Sequence, residues 1–222
     1  MKIILIWICI TITQGFSFGQ DSTRVKFKIM TQPTQFLSND FPLIFEKVFK
    51  RSALGLTIAY RPSTQNSGKI KSYGYGLAGI YWYQNFTNDL YNAVTVGVNS
   101  KYFIVKKYNL FIEAHLFYRY WWFNNKYAEF DNMEGYRFKA TRTERQNVYG
   151  LKILFGNSFQ FKTKSKIKPI IDLYCGFGVR YKTWKFETFN GTIRDDYYTY
   201  KKETGNYWMP TLQGGLKIGI GM

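Results

Sequence analysis

The chain is poor in the residues from which metal centres, disulfide frameworks and catalytic triads are made. It holds one His and two Cys in 222 residues. Two cysteines support neither a disulfide framework nor a cysteine-based zinc site. A lone His confines any Ser-His-Asp arrangement to a single place. Acids are scarce as well, 14 Asp and Glu against 31 Lys and Arg, for a formal charge of +17. After the first dozen residues, Lys, Arg, Glu, Asp or Gly interrupts every apolar stretch within about ten residues, half of the roughly 20 that a transmembrane helix needs. What the chain has in quantity is aromatic surface, 20 Phe, 19 Tyr and 6 Trp. Chains that stay disordered lack such apolar surface.

The first residues read as a leader rather than as part of the fold. Met1-Lys2 is a short basic start, Ile3 to Ile12 is apolar apart from Thr11, and Ser17-Phe18-Gly19 offers small residues at the minus-three and minus-one positions. That is the pattern of a secretory signal peptide, residues 1–19, with residues 20–222 as the mature domain. Cys9 leaves with the leader, and Cys175 remains as the only thiol. Export also changes the meaning of the charge. Outside the cytoplasm, the counter-charges within reach of a basic chain are phospholipid and lipopolysaccharide head groups, and no nucleic acid is expected as a partner.

Period-two alternation then carries the reading. From Leu110 to Trp122 the even positions, Leu110, Ile112, Ala114, Leu116, Tyr118, Tyr120 and Trp122, are apolar or aromatic, and Glu113, His115 and Arg119 fall on the odd ones. Ile171, Leu173, Cys175, Phe177, Val179 and Tyr181 oppose Asp172, Tyr174, Gly176, Gly178 and Arg180. Leu212, Gly214, Leu216, Ile218 and Ile220 oppose Gln213, Gly215, Lys217 and Gly219. Ser52 to Arg61, Ala93 to Val105 and Val148 to Phe159 repeat the pattern, and Val25 to about Phe36 and Phe41 to Phe49 complete a set of eight strands. Strands sided in this way have one oily and one polar surface. Pro33 and Pro42 require strand ends or a bulge in the first two.

The connections alternate. Residues 49–52, 106–109 and 162–168 are short, whereas 62–91, 124–147 and 187–206 read as long polar loops, with Ser38-Asn39-Asp40 as one tight exception. An all-β, eight-stranded antiparallel up-and-down transmembrane β-barrel gives this rhythm, with short turns on one rim and long loops on the other. Tyr118, Tyr120, Trp122, Trp184 and Trp208 fall at strand ends towards the long loops, where amphipathic rings sit at head-group depth. The short turns carry Lys50, Arg51, Lys106, Lys107, Lys162, Lys164, Lys166 and Lys168 and no acid. Near an anionic leaflet each such residue is worth about 1 kcal/mol.

The leader, the sided strands and the tail Leu212-Gln213-Gly214-Gly215-Leu216-Lys217-Ile218-Gly219-Ile220-Gly221-Met222 together resemble the small outer-membrane β-barrels of the OmpA-domain and OmpX type from Gram-negative bacteria. Many of those end their last strand on Phe, where this chain has Met222. The resemblance implies a monomeric outer-membrane protein in contact with outer-membrane lipids and lipopolysaccharide, with a structural or interaction role through its long loops.

The inward positions collect Lys28, Glu46, Arg61, Lys101, Glu113, His115, Arg119, Lys152, Asp172, Arg180 and Lys217. An eight-stranded barrel is filled by its own side chains and is no open pore. These residues therefore read as a salt-bridged polar plug with Glu113 and Asp172 as acidic partners. No cofactor, metal or catalytic residue is expected. His115 lies mid-strand without a spacing-linked Ser, and Tyr73 to Gly79 is no phosphate loop, since no Lys-Ser/Thr pair follows. Three other functions fit less of the pattern: an outer-membrane lipid-modifying enzyme, a soluble periplasmic ligand-binding barrel, and a subunit of a larger cell-envelope apparatus.

Overall fold

The computed structural model describes residues 25–63, 71–72, 91–105, 109–131, 137–161, 163–191 and 198–222. The expected leader, the glycines of 73–79, Lys106, Lys107, Lys162 and Arg194-Asp195-Asp196 lie outside the described residues. The chain is all-β. Its strands are β1 (Phe27–Thr31), β2 (Phe41–Val48), β3 (Ser52–Arg61), β4 (Lys71–Ser72), β5 (Asn92–Val105), β6 (Leu110–Asp131), β7 (Arg137–Gln160), β8 (Lys168–Gly191) and β9 (Tyr198–Gly221). One short helix, α1 (Pro33–Phe36), follows β1.

All strands but β4 form one antiparallel up-and-down sheet in the order β6-β5-β3-β2-β1-β9-β8-β7, and β6 also pairs with β7. The sheet is therefore a closed ring of eight strands. Closure also brings the two ends together, since Lys26 and Phe27 donate their backbone N–H groups to the Met222 carbonyl, and Met222 donates to Phe27. Both ends lie on the rim of the short turns. Asn39 and Asn109 take positive φ in two tight connections, at 56° and 51°. Asn tolerates that region better than most side chains.

Burial follows the alternation read from the sequence. Leu54, Leu56 and Ile58 on β3, Val94, Val96 and Val98 on β5, Leu116 on β6, Leu151 and Phe155 on β7, Phe177 on β8 and Leu212 on β9 are exposed outside. Between them, Thr57, Thr95, Asn99, Lys101, Glu113, Asp172 and Lys217 are buried inside. Large inner side chains sit opposite glycines. A Cβ on Gly150 would collide with the Phe117 ring, and one on Gly156 with Phe111.

Three expectations need correction. β1 ends at Thr31, because Pro33 opens α1 with the missing N–H that a first helical turn does not need. The first strand is therefore shorter than residues 25–36. The connections 124–147 and 187–206 are mostly strand, since β6 pairs with β7 from Leu110↔Asn157 to Asp131↔Arg137, and β8 pairs with β9 as far as Gly191↔Tyr198, while 62–91 lies almost wholly outside the described residues. The paired residues satisfy the ladder, but the buried positions that can be read there, Glu144 and Gln146, are polar and impose no oily row. Four strands of 22–24 residues thus project past the 5–14-residue strands of the other side. Finally, Trp184 pairs in register with Gly205 and, by parity with Asp172 and Lys217, lies on the continuation of the inner row.

Candidate functional site

Alternation aims one residue in two of each strand at the interior, and the register decides which of them meet. On the turn side of the ring, six charged residues from six strands converge. Lys101 on β5 is central. Its Nζ lies 2.7 Å from Asp172 Oδ2 on β8, 3.0 Å from Glu46 Oε2 on β2 and 3.6 Å from Glu113 Oε2 on β6. Lys217 on β9 holds Glu113 through both carboxylate oxygens, at 2.7 and 2.8 Å. Lys28 on β1 donates to Ser158 Oγ on β7 at 3.2 Å, and Ser158 donates to Asp172 Oδ1 at 2.5 Å. Asn99 adds a donor to Glu46 at 3.0 Å.

The cluster is three ammonium groups and three carboxylates, all fully buried. It is neutral in sum, and its charges are held by partners on opposite walls. An isolated buried charge costs several kcal/mol, and only close pairing with further hydrogen bonds offsets that. Phe111 and Tyr174, which contact Lys101 and Lys217, form one buried apolar cluster with Leu154, and Val25, Met30, Ile44 and Ile170 form another. Lys101 also sits 4.5 Å from the Phe111 ring centroid.

The hairpin side of the ring is different. Arg119 pairs with Asp40 at 2.8 Å and donates to Thr95 Oγ1 at 2.6 Å. Arg61 and Arg119 both lie over Trp121, at 5.0 and 5.2 Å from its centroid. Lys152 and Arg180 share the Phe117 ring, at 4.4 and 5.8 Å. His115 is buried with its ring tilted against Phe117, and its Nε2 has no hydrogen-bond partner. Among the described residues, no hydroxyl or carboxylate approaches it as a catalytic partner would, and no group of three metal-ligating side chains forms.

The expected inner residues thus divide. Glu46, Lys101, Glu113, Asp172 and Lys217 join one network, together with Lys28. Arg61, Arg119, Lys152 and Arg180 form a second, cationic group, with His115 between the two. Of the expected interface aromatics, Tyr118, Tyr120, Trp122 and Trp208 lie on the outer row, where Tyr120 stacks on Trp122 at 5.4 Å and Trp208 contacts Tyr181 at 4.8 Å. Trp184 instead stacks on Phe186 at 5.0 Å on the inner row.

No relative was found. No protein-family model matches the chain, and neither a curated protein nor a solved structure is significantly similar to it. What the interior does has to be argued from its own geometry. Asp40 and Lys182 belong to the second group and were not singled out as inner residues from the sequence. Lys182 continues the even-numbered inner row of Asp172, Tyr174 and Arg180, a signal that was available. Asp40 sits in a turn, and no periodicity assigns a turn residue to a face.

Proposed function

We propose that the chain is an outer-membrane β-barrel whose outer row meets hydrocarbon and whose interior is closed to bulk flow. One observation carries this reading: exposed apolar side chains run round the whole ring while charges fill its inside. Leu54 is 55% exposed, Val98 55%, Leu116 57%, Phe177 55% and Leu212 81%. Water-soluble monomers rarely present contiguous apolar patches beyond a few hundred Å². On β5 the row from Val94 to Ile104 spans about ten residues, the length with which a tilted strand crosses a bilayer core.

The ring of paired strands also supports the reading, because hydrocarbon disfavours open sheet edges; β1 covers β9 as far as Ile218, and residues 32–40 lie beside β9 beyond it. Lys50, Arg51, Lys164 and Lys166 are exposed at the turn rim, where they would face an anionic inner leaflet. Tyr120, Trp122 and Trp208 would then mark the outer interface. The projecting part of β6–β9 would stand outside the cell, as the surface of a structural or interaction role. The OmpA-domain and OmpX type remains the architectural likeness, and fold likeness alone gives no task. A soluble carrier of an apolar ligand would need the oily row inside, opposite to this arrangement.

Cys175 supplies a direct test, because its thiol is exposed on the outer row. In outer membranes bearing the full chain, an apolar maleimide is expected to label it, and a charged, membrane-impermeant thiol reagent is not. Density-gradient fractionation should place the protein with the outer membrane, with heat-modifiable gel mobility. Recovery as a monomer in detergent-free buffer, with Cys175 open to the charged reagent, would refute the proposal.

A further inference from the structure

The ring is filled on the turn side and hollow on the hairpin side. The hollow is a cavity of 510 Å³, within the ~300–1,000 Å³ of small-molecule sites. Its wall carries the cations Arg119, Lys152, Arg180 and Lys182 and one carboxylate, Asp40, which Arg119 already engages. Among the described residues, no carboxylate lies within ion-pair distance of Lys152, Arg180 or Lys182. Lys182 has the buried Glu144 within electrostatic range but beyond ion-pair distance and lies 5.6 Å from the Tyr207 ring centroid, while Lys152 and Arg180 share Phe117. Arg180 Nε is buried and makes no hydrogen bond. A buried donor without an acceptor is unfavourable, and so are like charges in one enclosed space. A bound anion would remove both penalties.

The cavity also reaches the side of the ring. β1 pairs with β9 only from Lys28↔Gly221 to Thr31↔Ile218. Beyond that point residues 32–40, including α1, stand beside β9 in place of a strand. There the wall runs from Thr34 and Gln35 onto Leu212 and Gly214 of the outer row. The hollow is thus bounded partly by the inner row and partly by a seam near the depth of Trp208.

We infer that this cavity binds a phosphate-bearing ligand, with the phosphate held by Lys152, Arg180 and Lys182. Phosphate fits better than carboxylate because a monoester brings up to two charges and three terminal oxygens to three cationic donors. A guanidinium pairs with such oxygens through two parallel N–H groups. The ligand has two possible sources. A phosphorylated sugar would arrive from water through the hairpin rim, and a phosphorylated lipid through the seam, with its acyl chains along Leu212.

The test uses the full chain refolded in neutral maltoside micelles. It is titrated with glucose 6-phosphate and, separately, with short-chain phosphatidic acid; glucose and diacylglycerol are the uncharged controls. Intrinsic tryptophan fluorescence, to which Trp121 on the cavity wall contributes, or calorimetry reports binding. Saturable binding of at least one phosphorylated probe is expected, with little or none of its control, and whichever probe binds identifies the source. The Lys152→Gln/Arg180→Gln variant should bind ~tenfold or more weakly. Asp40→Asn, which releases Arg119, should bind more tightly. The inference is overturned if neither probe outcompetes its control, or if the folded double variant binds unchanged. Should that variant not fold, an Asp40→Asn protein without any gain in affinity would overturn it equally. Because the titration reads the cavity alone, its failure would leave the membrane assignment intact.

Discussion

The two halves of the interior use the same residue types to opposite ends. On the turn side, Lys28, Lys101 and Lys217 are balanced by Glu46, Glu113 and Asp172, and all six side chains are fully buried. On the hairpin side, Arg119, Lys152, Arg180 and Lys182 line a 510 Å³ hollow with Asp40, and the buried Glu144 adds one more carboxylate within electrostatic range of Lys182. Charge count and free volume change together along the axis. Where the interior is dry, each ammonium needs a carboxylate, since desolvation is repaid only by close pairing. Where the interior is hollow, solvent or a ligand takes over that task, and unpaired cations become tolerable. The first half holds the ring together, and the second is available for binding.

The comparison breaks most visibly at Lys101. This ammonium touches carboxylates from three other strands. Lys101→Met would leave three buried carboxylates with two cations, at a cost of about 3–5 kcal/mol. The expected result is loss of heat-modifiable folding, or a large drop in the urea midpoint in micelles. Lys101→Met combined with Glu46→Gln should recover part of that loss, because it restores the balance. A single variant within about 1 kcal/mol of the parent would show that the network does not hold the ring.

Lys152 sharpens the comparison, because the same chemistry should there have the opposite sign. It lies on the inner row beside Arg180, with no carboxylate in ion-pair range among the described residues. Lys152→Gln removes a like-charge repulsion and leaves the Phe117 contact to the methylene stem. Stability is expected to stay within about 1 kcal/mol of the parent and to move upward. The same urea titration measures it. A loss as large as that of Lys101→Met would mean that Lys152 has an essential partner and that the two halves are alike.

How far the sequence reveals this division depends on where water is excluded. The sided rows of β3, β5 and the lower parts of β6–β9 are legible because one face is oily and the other is not. Leu54, Leu56 and Ile58 alternate with Gly55 and Thr57, and the eye needs nothing more. The projecting parts of β6–β9 were illegible for the converse reason. On β7 the buried Glu144 and Gln146 are as polar as Thr143 and Arg145 between and beside them, so no hydropathic period marks the strand and it reads as loop. Partner choice in the network was only half visible. Parity puts Lys101, Glu113 and Asp172 inside, but the meeting of Lys101 with Glu46 depends on register across three strands. Trp184 was misassigned because strand-end aromatics were counted without following parity beyond Arg180.

The smallest effect belongs to a pair of the same chemistry outside the ring. Lys185 and Glu187 lie 3.1 Å apart on the projecting part of β8, with side chains 45% and 33% exposed. The hydrogen bond from Lys185 holds the Glu187 carboxyl below its ordinary pKa. A depressed acid contributes its stability above the unfolded pKa, about 4.3, and loses it as pH falls through the lower folded value. Water and salt screen the exposed pair, so that contribution is slight. Glu187→Gln should therefore leave the urea midpoint at pH 7 unchanged within error, and the variant and parent should show the same acid dependence between pH 5 and 3. A clear loss at pH 7 would mean that exposed pairs stabilise this sheet too. Burial would then not be what separates Lys101 from an exposed lysine such as Lys185.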